Sequence, residues 1–144
     1  MQVKTFRQVA LVAWVMQGLI VFSGAAVRLT EAGLGCEDWP TCNDDQFLPE
    51  RQIHGLIEFG NRVISGFVAV SAIVVLVAAY RLVSRRADLL RYAWMIVAGT
   101  LAQVVLGGVT VLLDLHPVVV GVHFLLSMAL LAASEMLWIA SGTE

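Results

Sequence analysis

Charge is scarce in this chain. Asp, Glu, Lys and Arg make up 14% of its 144 residues against 59% for apolar types, and the mean hydropathy is +0.83. A soluble domain carries about a quarter charged residues, so the composition excludes an ordinary soluble fold. A formal net charge of −2 leaves no basic surplus for a nucleic-acid partner. Cysteine is scarcer still. Cys36 and Cys42 are the only two, too few for a structural zinc site with four convergent ligands. Their C-x5-C spacing also departs from the C-x-x-C of thiol-exchange centres.

What the chain does have is apolar length. Four runs, at about 9–27, 64–80, 92–113 and 118–140, each approach or exceed the ~18 to 20 residues that cross a ~30 Å hydrocarbon core as a helix. The expected fold is an all-α integral membrane protein: one domain, residues 1–144, of four transmembrane helices at about 8–28, 53–82, 91–113 and 117–140. The first run follows Lys4 and Arg7 as a signal peptide would, but it is long for one and lacks a small-x-small cleavage site, so a retained helix is expected. With the N-terminus in the cytoplasm, Lys4, Arg7, Arg81, Arg85, Arg86 and Arg91 fall inside and Arg28 and Arg51 outside. That satisfies the positive-inside bias and predicts a multi-pass plasma-membrane protein with both termini cytoplasmic. The basic segment 81–91 then reads as a topology signal touching lipid headgroups of the bilayer.

The first two helices are joined by an extracytoplasmic loop at about 29–52, rich in turn formers and carrying six acids. Cys36 and Cys42 lie in it around the Trp39–Pro40 step. On the oxidising side of a membrane, a disulfide closing a small loop is the leading reading. The loop is expected to cap the outer mouth of the bundle.

Below that loop the second helix opens with IHGLIEFGNRVISG (53–66), which places His54, Glu58, Asn61 and Arg62 at i, i+4, i+7 and i+8 on one face. Ionisable groups at membrane depth face a bundle interior and mark a site. Glu58 and Arg62 are also spaced for an ion pair, and a purely structural staple between helices is the bland alternative. Buried pairs are seldom net stabilisers, which favours a working carboxylate suited to proton transfer. His123, two turns into the fourth helix, lies at a similar outer depth. Alone it reads as a hydrogen-bonded core histidine. With His54 it offers two imidazoles between helices, the set an axially ligated haem uses. Arg28 either snorkels to the interface or meets an anionic ligand. Gln17 and Gln103 read as interhelical hydrogen-bonding groups, and Gly107–Gly108 as a close packing contact or room for a ligand.

Three pieces in order, VRLTEAGLGCEDWPTC (27–42), IEFGNR (57–62) and DLHPVVVGVHF (114–124), resemble the N-terminal half of haem A synthases. That family oxidises a ring methyl of haem O to a formyl group, giving haem A for terminal oxidases, and is usually built from two related four-helix halves. The resemblance implies haem O as substrate, with a resident haem b also compatible, and haem O synthase and the terminal oxidase as partners. It puts Glu58 in the place of the family's acidic residue, His123 in that of the haem ligand on helix four, and Cys36 and Cys42 in that of the external disulfide. Arg28 and Arg62 would meet propionates. Many members carry histidine where this chain has Asn61. Asparagine is a poor iron ligand, so His54, about 10 Å away along the helix, is the candidate to replace it, with Asn61 left to hydrogen-bond a propionate. The sequence ends at Glu144, which implies either a half-length member that assembles with copies of itself or a piece of a longer protein. The rival readings are a haem-binding or oxidase-assembly module without catalysis, a thiol-oxidising membrane enzyme using Cys36 and Cys42, and a small membrane protein with a buried ion pair.

Overall fold

The computed structural model describes residues 1–36, 39–42, 49, 52–82 and 86–142. Among the described residues it is all-helical: α1 (Val3–Leu29), α2 (Ile53–Tyr80), α3 (Ala87–Leu112) and α4 (Pro117–Ala140), with a single 3-10 turn at Ala32–Leu34. All four are long and apolar enough to cross a membrane, so the chain is a four-span, multi-pass membrane protein. Arg51 and Arg85, which enter the orientation argument, and the loop acids Glu37, Asp38, Asp44, Asp45 and Glu50 lie outside the described residues. α1 and α3 begin several residues before their apolar segments. Lys4, Thr5 and Arg7 continue α1 outward from its core, because a polar terminal turn keeps its backbone bonds while its side chains reach headgroups.

The helices run up-down-up-down as a square, α1 beside α2 and α4, and α3 beside α2 and α4, so that α2 and α4 face each other across a diagonal. Packing is concentrated at the end bearing the α2–α3 turn. Phe6, Val75, Leu89, Ile96 and Leu137 are fully buried there, interleaved with Ala10, Ala13, Ala72, Ala78, Ala79 and Ala93. Apolar burial gains little between helices already in lipid, and small side chains that let backbones approach supply the association through dispersion. Trp14 stacks on Trp138 at 5.5 Å between centroids, with the Arg7 guanidinium 5.4 Å from the Trp138 ring, closing this end. Arg86 pairs with Asp88 and donates to the Ala140 carbonyl, tying the start of α3 to the end of α4. The last deep polar contact is a diagonal one, Gln17 Nε2 to Thr100 Oγ1 at 3.2 Å, with both residues buried.

At the other end the loop after α1 docks on the bundle through glycines. A side chain at Gly35 would sit 2.6 Å from the Gly55 backbone nitrogen and closer still to the His54 carbonyl. Gly108 of α3 lies under the Trp39 ring, where a Cβ would come within 2.7 Å. Gly35→Ala therefore sets backbone against backbone. It is expected to cost about 1–3 kcal/mol, seen as a lower melting temperature in detergent and faster proteolysis of the loop, whereas Gly24→Ala, where nothing lies nearby, leaves both unchanged.

Candidate functional site

Between the two closed ends lies a layer that is not packed. Along residues 18–29 of α1, 59–67 of α2, 101–107 of α3 and 117–129 of α4, no residue is buried. Natural cores fill space at crystal-like density, so these four neighbouring helix segments, without one buried residue, form a loosely packed layer. Its floor is the Gln17–Thr100 contact, about 18 Å below the outer helix ends, and Glu58 and Gly108 lie about 6–8 Å below them. The layer is therefore roughly 10 Å tall, about the width of a porphyrin ring.

The roof is the disulfide loop, held by the stripe on α2. Cys36 and Cys42 are bonded and both sulfurs' residues are buried. Glu58, only 4% exposed, accepts the Cys36 backbone N–H on Oε2 at 2.9 Å and the Arg62 guanidinium on Oε1 at 2.6 Å. Arg62 also donates to the Thr41 carbonyl at 2.7 Å and, at 3.5 Å, to that of Cys36. The i, i+4 pair thus forms a latch that grips both ends of the six-residue disulfide step. Both carboxylate oxygens are engaged.

The remaining stripe residues diverge. Asn61 Oδ1 accepts from Ser23 Oγ of α1 at 2.6 Å. His54 is exposed, one residue into α2 beneath the Gly35 backbone. Arg28 is exposed at the outer end of α1. Across the bundle, His123 is half-buried and its ring edge lies against Gly107 of α3: a Cβ there would stand 3.4 Å from Cε1 and 3.9 Å from Nε2. Counted from the outer starts of α2 and α4, His123 lies about 9 Å deep, Asn61 about 12 Å and His54 about 1.5 Å. Depth therefore matches His123 with Asn61 more closely than with His54. Gln103 of α3 donates to the His123 carbonyl at 2.9 Å and to Ser127 Oγ.

The spacing of the stripe identified its face but missed the contacts that divide its labour, because those come from Ser23, Cys36 and Thr41 on distant segments. Gln103 and Gly107 were visible only as a lone amide and a small residue. No group of three or more His, Cys, Asp or Glu fit to hold a bare metal ion occurs among the described residues.

Comparison with known proteins adds a lineage. The family described as COX15-CtaA, cytochrome oxidase assembly protein, matches residues 7–54 and 46–144. A protein of Lysinibacillus sphaericus named "Heme A synthase" is 31% identical over 89% of this chain and 42% of its own length. Proteins of the same name from Geobacillus thermodenitrificans and Symbiobacterium thermophilum are 32% and 29% identical over 88% and 96% of this chain. The chain spans about two fifths of the length of these curated relatives. No solved structure matches it.

Proposed function

Since the chain belongs to the COX15-CtaA family of cytochrome oxidase assembly proteins, we propose that its unpacked outer layer binds haem and serves the oxidation of a haem O ring methyl to a formyl group. The observation that carries this reading is the layer itself: four helix segments without a buried residue, between a latched roof and a polar floor. The side chains there suit a porphyrin. His123 offers an imidazole whose Nδ1 has no partner in the protein, Gly107 leaves room along the ring edge that carries Nε2, and Asn61, Ser23 and Ser127 offer amide and hydroxyl groups without competing carboxylates.

In this reading His123 would hold the haem iron, and bound haem would supply the redox chemistry. Asn61 and Arg28 would hydrogen-bond propionates, and His54 would stand at the rim as a propionate donor. Arg62 acts on the ligand only through the loop it clamps. Glu58 anchors the roof and would take up one of the four protons released as –CH3 and water become –CHO, the four electrons leaving to an external acceptor. The disulfide end faces the oxidising side and the Lys4, Arg7 and Arg91 end faces the cytoplasm of a plasma membrane. Haem O synthase and the terminal oxidase are the partners that supply substrate and accept product. A second copy, or a C-terminal half, completes the enzyme.

The test is direct. The purified chain with haem O and an electron-transfer partner should give a reduced haem spectrum with Soret and α bands, and haem A on pigment extraction. Absence of both bands overturns the proposal. Bands without haem A support the second reading, a haem-binding assembly module.

A further inference from the structure

Three side-chain atoms among the described residues are buried without a hydrogen-bond partner in the protein, and two of them belong to one network: Gln103 Oε1 and His123 Nδ1. The rest of that network is fully used. Gln103 Nε2 donates to the His123 carbonyl at 2.9 Å and to Ser127 Oγ, whose own proton goes to the His123 carbonyl at 3.0 Å. This fixes the amide's sense, since the opposite one would set Gln103 oxygen against carbonyl oxygen. Oε1 is left as an acceptor in need of a donor, beside a histidine whose Nδ1 is also unmatched. Buried polar groups are seldom left unpaired.

We infer that Gln103 is the positioning residue for His123, taking its Nδ1–H on Oε1 through one bridging water, since the two atoms make no direct bond. The bond fixes the Nδ1–H tautomer and leaves the lone pair on Nε2, at the ring edge that faces Gly107. Which imidazole nitrogen can act as a ligand is set by the hydrogen bond the other makes, and such outer partners both orient the ring and raise its basicity. A free imidazole favours the opposite tautomer, with the proton on Nε2, so the assignment has a readable signature. Its value for haem rests on the reading proposed above; the tautomer itself does not.

The experiment is nitrogen-15 NMR of histidine-labelled full chain, purified without haem, with the His123 signals identified by their loss in His123→Asn. The wild type should show protonated Nδ1 and unprotonated Nε2. Gln103→Glu, which keeps an acceptor, should retain that state, as should Ser127→Ala, which cuts the network but spares Oε1. Gln103→Leu should revert to Nε2–H. In a parallel titration with haem b, Gln103→Leu should weaken binding about 10- to 100-fold and raise the midpoint potential, because an imidazole without its acceptor donates less to iron. An Nε2–H wild type overturns the inference, as does a Gln103→Leu tautomer identical to wild type or a change in Ser127→Ala as large as in Gln103→Leu. If haem b fails to bind any variant, the haem reading fails while the tautomer result still decides this one.

Discussion

Arg62→Ala is expected to be among the most damaging single changes to stability, at about 3–5 kcal/mol. The reason is what it leaves behind. Glu58 is 4% exposed, and with Arg62 gone its only remaining donor among the described residues is the Cys36 backbone N–H. Breaking one side of a buried ion pair strands the other charge, and that stranded charge outweighs the modest net value of the pair itself. The Thr41 carbonyl loses its donor too, so the loop is released at the Thr41 end of the disulfide step. The loss should appear as a lower unfolding midpoint in detergent and faster reduction of Cys36–Cys42 by a water-soluble thiol. Glu58→Gln combined with Arg62→Met removes both charges, so it should cost less than Arg62→Ala alone, a strongly non-additive cycle. Equal losses in the two would mean the latch is not electrostatic.

The same double variant separates the two duties given to Glu58. If the carboxylate only holds the roof, haem A formation returns with the restored loop. If it also takes up a proton released in the oxidation, the loop returns and the chemistry does not. From i, i+4 spacing alone these roles were indistinguishable, and the structure adds the Cys36 N–H and the Thr41 carbonyl as partners of the pair.

That pattern holds across the molecule. The four helices were legible because lipid imposes one requirement on every spanning segment, an unbroken apolar run with internally satisfied backbone. The polar face of α2 was legible from 3.6-residue periodicity. What each polar residue touches was not, since the partners are far off in sequence: Asn61 meets Ser23, Arg62 meets Thr41, and Gln17 meets Thr100, 83 residues away. Periodicity assigns a residue to a face, while loop docking decides which neighbour covers it. The docking of Trp39 on Gly108 and of Gly35 on α2 depends on side chains being absent, and a glycine in a sequence does not announce what approaches it. Nor does composition reveal that packing stops at the Gln17–Thr100 level, because apolar residues facing lipid and apolar residues facing a core read alike.

The largest functional effect is expected at His123. His123→Ala removes the imidazole that lies at ligand depth against Gly107, and the reduced haem spectrum should collapse, with affinity falling by at least the roughly 10- to 100-fold that even an outer partner of a metal ligand contributes. His54→Ala should leave the bands nearly unaltered, because a side chain about 1.5 Å into α2 is about 7–8 Å shallower than His123 and cannot share an iron axis with it without a shift of more than one helical turn. Asn61→His is the informative gain. Asn61 lies on α2, diagonally opposite α4, and within about 3 Å of the depth of His123, so a histidine there offers iron a second axial nitrogen. The haem should then pass from a mixed or five-coordinate spectrum to the sharp α band of a six-coordinate, low-spin centre. The new ligand would also occupy the position at which an external molecule meets the iron, so carbon monoxide binding to the reduced protein should fall while haem retention rises. A His54→Ala chain that loses its haem, or an Asn61→His chain with unchanged bands, would place the ring nearer the roof, between His54 and the disulfide loop, and would reassign Asn61 to the structural contact it makes with Ser23.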